Sequence, residues 1–171
     1  MKLNKIMLAA AVAFGLSSTA YADQGHGKVT FTGAIIDAPC SISPESIDQT
    51  VEMGQISKVA LQNGGKSTPR NFSIDLENCS FEAGNNKVTA TFTGMESESG
   101  LLGIHGSASG AGIAITDGAG TVIELGQPTK EQELQAGNNT LSFAAYVQGE
   151  AASDIIEGDF QAVADFTLAY N

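Results

Sequence analysis

The chain has 171 residues, of which 19 are acidic and eight are basic, so its formal net charge at pH 7 is −11. A surface this acidic repels phosphate backbones, which argues against a nucleic-acid partner, and it favours solubility. The length suits one domain of ordinary size.

The first 22 residues have the pattern of a secretory signal peptide. Two lysines precede an apolar run at residues 6–16, and the small residues Ala20 and Ala22 suit cleavage before Asp23. The run is too short to span a bilayer, which needs about 20 residues. We therefore expect an exported protein whose mature chain begins at Asp23.

The mature sequence alternates short strand-like runs with Gly- and Asn-rich turns, as in "NGGKSTP" and "TDGAG". Only residues 57–62 suit a helical turn. The pattern indicates an all-β fold, an immunoglobulin-like β-sandwich. The candidate strands are residues 28–36, 50–54, 71–79, 87–94, 112–116, 121–126, 140–149 and 160–170.

Cys40 and Cys79 are the two cysteines of the chain. In an oxidising compartment an even number of cysteines favours a disulfide. A metal site is the competing interpretation, but neither cysteine has a second Cys or a His at ligand spacing. The sequence therefore predicts one structural disulfide.

The residues that usually carry catalysis form no recognisable motif. His26 and His105 belong to no triad or metal-binding pattern, and the stretch "GSASGAG" lacks the Gly-Lys-Ser/Thr of a phosphate-binding loop. The sequence thus predicts no enzyme, no catalytic residue, no metal site, no cofactor and no small-molecule substrate. A self-contained sandwich that binds a small ligand remains an alternative at this point.

The C-terminal segment alternates apolar and mostly polar positions, which is typical of a half-buried strand. The alternation runs to Tyr170, and the chain ends one residue later, at Asn171, with no partner strand following. One edge of this strand is therefore left without an obvious neighbour. The inward-facing series is Phe160, Ala162, Ala164, Phe166, Leu168 and Tyr170.

The mature N-terminus carries a second alternating series: Gly25, Gly27, Val29, Phe31 and Gly33. It precedes Cys40 and is too rich in glycine to pack well on its own domain. The two ends could pair within one chain. Alternatively, the N-terminal strand of one copy could complete the sheet of the next, which would build a fibre. Patterning alone does not choose between these arrangements.

Several stretches together resemble major pilins of the chaperone–usher family, and are similar to rod subunits of P pili and of MR/P-type fimbriae. The most specific is the terminal motif, with Gly158, the alternating apolar series and the penultimate Tyr170. The resembling stretches are residues 27–42, 53–57, 76–79, 137–149 and 158–171.

The resemblance implies a signal peptide at residues 1–22, a donor-strand extension at residues 23–34 and a pilin domain at residues 35–171. That domain is expected to lack its final strand and to be completed by donor-strand complementation. The expected donor positions are Gly25, Gly27, Val29, Phe31 and Gly33. The expected acceptor groove and chaperone-binding strand comprise Gly158, Phe160, Ala162, Ala164, Phe166, Leu168, Tyr170 and Asn171.

The resemblance also implies the partners. A periplasmic chaperone would fill the groove and hold the carboxylate of Asn171, and at the outer-membrane usher the extension of another copy would replace it. Other pilins and a tip adhesin would complete a cell-surface fimbria that supports adhesion. A minor or adaptor pilin, or a tip-associated adhesive subunit of the same kind of fimbria, is the alternative. A tip adhesin is disfavoured, because the chain has no room for a lectin domain and carries a donor strand.

Overall fold

The computed structural model describes residues 27–82, 86–151 and 154–171. The chain divides after Ile35, and the assigned helices and strands lie in the second unit, Ile36–Asn171. The predicted signal peptide, His26 and the donor position Gly25 lie outside the described residues. Within the described ranges, no helix has the length and apolar character needed to cross a membrane.

Strands dominate the second unit, and the helical elements are single turns. The helical elements are α1 (Pro44–Ile47), α2 (Lys58–Leu61) and a 3-10 turn (Gln62–Gly64). The strands are β1 (Ser41–Ile42), β2 (Arg70–Cys79), β3 (Lys87–Gly94), β4 (Leu102–Gly103), β5 (His105–Gly106), β6 (Ala111–Asp117), β7 (Gln132–Glu133), β8 (Gly137–Gly149), β9 (Phe160–Gln161) and β10 (Ala164–Tyr170). The predicted all-β class is confirmed.

The strands form three antiparallel sheets. A five-stranded sheet has the order β1-β2-β8-β6-β4, a three-stranded sheet has the order β10-β3-β7, and β5 pairs with β9. In the smaller sheet, β10 runs along β3 from Ala164 opposite Gly94 to Tyr170 opposite Val88. This pairing places the C-terminal strand at one edge of its sheet.

The five-stranded and three-stranded sheets pack face to face around an apolar core. The ring of Phe92 on β3 lies edge-on to Phe143 on β8, with centroids 5.1 Å apart, and edge-on to Phe72 on β2 at 6.2 Å. Edge-to-face contacts of this kind are the favoured geometry for packed aromatic rings. The predicted sandwich is therefore confirmed. Its largest fully buried side chains are Ile74, Leu76, Leu141, Val88 and Val147.

The strands predicted at residues 71–79, 87–94, 112–116 and 140–149 are confirmed. The one predicted at residues 160–170 is found as two strands, β9 and β10, which pair with β5 and β3 respectively. The helical turn predicted at residues 57–62 is found as α2 and the 3-10 turn. The strand predicted at residues 50–54 is wrong, because those residues join no ladder among the described residues. Residues 27–36 likewise form no strand in the single chain. A strand needs a partner for its backbone hydrogen bonds, and residues 27–36 pair with none of the described strands within one chain.

The strand predicted at residues 121–126 is also wrong, because only an isolated bridge is found there. Val122 makes an isolated bridge to Thr116, and the Ile123 amide donates to the Ile115 carbonyl at 2.8 Å. A turn follows, and the amide of Gly126 donates to the carbonyl of Phe92 at 2.8 Å. The chain therefore leaves the five-stranded sheet here and crosses to β3, which ends the pairing.

Candidate functional site

The inward-facing row of the C-terminal segment is only half-buried along its whole length. The alternate residues that face outward are exposed, so the predicted period of two holds from Phe160 to Tyr170. On the neighbouring strand β3, the inward residues Val88, Ala90 and Phe92 are almost fully buried. These three lie directly opposite Tyr170, Leu168 and Phe166 in the ladder. The contrast arises because β3 has neighbours on both edges and β10 has one on a single edge.

The hydrogen bonds between β10 and β3 show which backbone groups remain on the free edge of β10. Asn171 and Lys87 exchange both backbone hydrogen bonds, at 3.1 and 2.9 Å. In an antiparallel ladder, such pairs alternate along the strand, so the odd-numbered residues bond to β3. The N–H and C=O groups of Ala164, Phe166, Leu168 and Tyr170 consequently point to the other edge, where no described strand pairs with them.

A groove of about 840 Å³ opens beside this free edge. One part of its lining is the C-terminal segment from Ile155 to Phe166, and another is residues 46–56, which follow β1 at the edge of the five-stranded sheet. Apolar side chains from both sheets supply the floor, including Phe72, Phe92 and Ile113. The groove therefore exposes part of the sandwich core itself.

Residues 50–54, wrongly predicted as a strand, line this groove. Val51 and Met53 are half-buried, while Glu52 and Gly54 are exposed. The alternation that suggested a strand is thus real as an alternation in burial, although the segment joins no ladder. This wall of the site was missed from the sequence.

The glycine-rich stretch at residues 105–110 clasps the segment that leads into β9. An added side-chain carbon at Gly106 would collide with the backbone of Asp159, and one at Gly110 would collide with that of Asp154. In the other direction, a side chain at Gly158 would meet the backbone of Ser107. We name Gly106, Gly110 and Gly158 the glycine clasp.

Hydrogen bonds reinforce the glycine clasp. The amides of Ser107 and Ala108 both donate to the carbonyl of Asp159, at 3.0 and 3.1 Å, and the amide of Asp159 donates to Ser107 Oγ at 3.0 Å. Ser109 and Ile156 exchange backbone hydrogen bonds. The "GSASGAG" stretch therefore fixes the end of the groove where Phe160 lies, a role that its sequence did not indicate.

The predicted disulfide joins Cys40 and Cys79. Next to it, the amide of Ser80 donates to the carbonyl of Pro39 at 2.9 Å, and Ser41 pairs with Glu77. Pro39 also lines a surface pocket together with Tyr170. Residues 39–41, near the start of the second unit, are thus held close to Tyr170 at the C-terminal end of β10.

The last two residues of the chain differ in their surroundings. Burial raises the pKa of the Tyr170 hydroxyl above its ordinary value. Asn171, the last residue, is exposed and continues the pairing with Lys87. The Lys87 ammonium lies 2.7 Å from the carboxylate of Glu131, and this contact raises its pKa.

The predicted donor residues that the structure describes are exposed. Val29 and Phe31 have 76% and 90% of their residue surface accessible. An added carbon at Gly27 or Gly33 would meet no atom within 4 Å. Together with the exposed Ile35, Val29 and Phe31 form an apolar series on a short segment, and contiguous exposed apolar surface, unlike a single exposed residue, marks interaction sites.

Of the two histidines considered above, His105 is the one that lies within the described residues. His105 lies in β5, exposed, opposite Gln161. Across residues 27–82, 86–151 and 154–171, no group of three or more His, Cys, Asp or Glu side chains could hold a metal ion. The features that stand out are therefore an open groove, a free strand edge and an exposed apolar extension.

Comparisons with known proteins agree with this geometry. The family model described as "Fimbrial protein" matches residues 29–171. Fimbria A protein of Serratia marcescens is 66% identical over 174 residues, covering 99% of each chain. The major MR/P fimbria protein of Proteus mirabilis is 51% identical over 177 residues, again covering 99% of each.

Solved structures give the same relationship. A subunit of a chaperone–usher pilus superposes with a TM-score of 0.78 at 36% identity, covering 86% of this chain and 97% of that one. The P pilus rod subunit PapA superposes with a TM-score of 0.69 at 36% identity, covering 78% of this chain and all of the other. Because the family model matches residues 29–171 and the relatives align over nearly their whole length, this chain, with its incomplete sandwich, belongs to the fimbrial protein family.

Proposed function

We propose that this chain is a structural subunit of a bacterial surface fimbria, and that its sandwich is completed by a strand from another copy. The observation that carries the proposal is the free edge of β10 beside an apolar row that stays half-exposed over a groove. Unpaired strand edges and contiguous apolar troughs drive association. A subunit with this surface needs a partner strand.

The N-terminal extension has the properties of that partner strand. Its alternating series, predicted to start at Gly25, presents Gly27, Val29, Phe31 and Gly33 on one face, and the large members are exposed. Each copy has one groove and one extension. A head-to-tail contact between them does not close on itself and therefore generates a fibre.

The energies involved are sufficient for assembly without a nucleotide. Burying Val29 and Phe31 contributes about 1.5–3 kcal/mol each. Each new backbone hydrogen bond along β10 adds about 0.5–1.5 kcal/mol. Their sum over a strand is comparable to the whole stability of a domain, about 5–15 kcal/mol. Completion of the fold can thus drive polymerisation.

The same groove also explains how the subunit reaches the cell surface. In this proposal the signal peptide directs the chain to the periplasm, where a chaperone strand covers the groove and binds the carboxylate of Asn171. At the outer-membrane usher, the extension of another copy displaces the chaperone. Other pilins and a tip adhesin complete an extracellular fibre that supports adhesion. The role is structural, without catalysis.

Deleting residues 23–32 tests the proposal. The deleted chain keeps its groove and should bind the cognate chaperone, but it should form no fibres because it cannot donate a strand. The matched control carries Thr30→Ser and Thr32→Ser, which change only outward positions of the extension. The control should polymerise normally under electron microscopy, whereas fibres of the deleted chain with normal morphology would refute the proposal.

A further inference from the structure

The two methionines of the predicted mature chain lie in different surroundings. Met53 lines the open groove, is half-buried and packs against the apolar core. Met95 directly follows β3, is 60% exposed and lies outside the groove lining. The other methionines, Met1 and Met7, fall in the predicted signal peptide. The mature chain therefore carries one thioether on the groove wall and a second one elsewhere on its surface.

These thioethers are open to oxidation. Both cysteines are already joined in the disulfide, and methionine is a common target of oxidants in proteins. With hydrogen peroxide, the sulfur atom attacks one peroxide oxygen, the O–O bond breaks, and the other oxygen leaves as water with both protons. Sulfur loses two electrons and peroxide gains them, so no further reactant is needed. An exported protein works in an oxidising environment, where such oxidants occur.

The groove gives peroxide a path to Met53. The groove has a volume of about 840 Å³, whereas a water molecule occupies about 30 Å³ in the liquid. Hydrogen peroxide is little larger than water and carries no charge, so the acidic surface does not repel it. A strand that lies in the groove would cover the wall to which Met53 belongs. The reactivity of this residue should therefore depend on whether the groove is filled.

Oxidation of Met53 would alter the groove wall. It converts a flexible apolar thioether into a polar sulfoxide. The floor of the groove includes Phe72, Phe92 and Ile113, whose side chains have no hydrogen-bond donor for the new oxygen. A strand that covers this oxygen removes its water and leaves a buried acceptor unpaired, which is unfavourable. Oxidation at this position should consequently weaken strand binding.

We propose that Met53 is an oxidation site whose reactivity toward peroxides is set by the occupancy of the groove. In a subunit with an open groove, peroxide converts Met53 to the sulfoxide, and the subunit then binds a donated strand less tightly. In a subunit with a filled groove, the strand shields Met53 and the fibre is unaffected. The inference rests on the proposed function, since the donated strand is the occupant. Met95 reacts equally in both states.

Peroxide mapping on the full wild-type chain tests the site. Three samples receive the same dose of hydrogen peroxide: the unassembled subunit, the subunit with an excess of a peptide of residues 23–35, and fibres. Mass spectrometry of proteolytic fragments measures how fast each methionine gains one oxygen. Met53 should react at least tenfold more slowly in the second and third samples, while Met95 should react at one rate in all three. Equal rates for Met53 with and without peptide, or equal protection of Met95, overturn the inference.

Two leucine variants test the effect on binding, because leucine and methionine exchange in a packed site with little strain. Wild-type, Met53→Leu and Met95→Leu subunits are oxidised, freed of peroxide and titrated with the same peptide. Oxidation should weaken peptide binding about five- to a hundredfold in the wild type and in Met95→Leu, and it should leave Met53→Leu unchanged. An equal loss in Met53→Leu overturns the inference.

The two proposals fail in different ways. Wild-type chains that form no fibres before oxidation contradict the proposed function. Protection of Met53 by the peptide is measured on the unassembled subunit, so it is decided without fibres. It is also decided on the wild-type chain, so it holds as a test if Met53→Leu does not fold.

Discussion

The glycine clasp makes a quantitative prediction about Gly110. This residue has φ = +81°, and an added Cβ would lie 2.9 Å from the carbonyl carbon of Asp154 and 3.0 Å from Cα of Ile155. Alanine in this left-handed conformation costs about 1–2 kcal/mol. Displacing the facing backbone adds about 1–3 kcal/mol, typical of overpacking. Gly110→Ala should therefore lower the free energy of unfolding by about 2–5 kcal/mol.

Gly120 offers a matched control, because it has φ = +83° and an added Cβ would meet no atom within 4 Å. Gly120→Ala should thus show only the backbone cost of about 1–2 kcal/mol. The difference between the variants isolates the contact between the clasp and the segment before β9. It is measured by urea unfolding of each variant in complex with a peptide of residues 23–35.

The clasp also positions the end of the groove, so the two variants should differ in strand binding. Gly110→Ala displaces the segment that carries Phe160 and should slow incorporation of the peptide, while Gly120→Ala should leave its rate unchanged. Equal unfolding free energies and equal incorporation rates for the two variants would refute the clasp.

Three further predictions concern the disulfide, the terminal tyrosine and the extension. Replacing Cys40 and Cys79 by alanine opens a loop with a sequence separation of 39; this should cost about 4 kcal/mol and lower the Tm of the peptide-bound subunit by about 8–16 °C, and an unchanged Tm would contradict it. Burial raises the pKa of Tyr170 in the folded state. The stability that the protonated hydroxyl contributes is therefore fully present below the unfolded-state pKa of about 10, and it is lost as pH rises through the folded-state pKa. Tyr170→Phe should flatten this alkaline loss in pH-dependent melting curves, and identical curves would argue against it. Gly27→Leu should slow fibre growth in a light-scattering assay, because a side chain there competes with the groove lining; growth at the wild-type rate would exclude that explanation.

Local patterning identified the terminal strand because its signal lies in consecutive residues. The alternation from Phe160 to Tyr170 gives the inward row, whereas the free edge of β10 is shown by the sheet order of the folded structure. Residues 50–54 have the same alternation, yet pairing depends on which edges lie nearby in space. That information is absent from the segment itself.

The glycine clasp could not be predicted for a related reason. Gly106 and Gly158 each leave room for the backbone of a segment about fifty residues away in the chain. Their local sequence looks like an ordinary glycine-rich loop. Only the folded structure shows that these glycines hold the end of the groove, and that residues 46–56 form one of its walls.

The most direct test of a sandwich that lacks one strand is the thermal unfolding of the chain without residues 23–32, measured with and without a peptide of residues 23–35. At a peptide concentration of about 100 times its Kd, binding should stabilise the subunit by about 2.7 kcal/mol and raise its Tm by about 5–11 °C. A peptide with Val29→Asp and Phe31→Asp should have no such effect. Cooperative melting at one temperature, whichever peptide is added, would contradict the account.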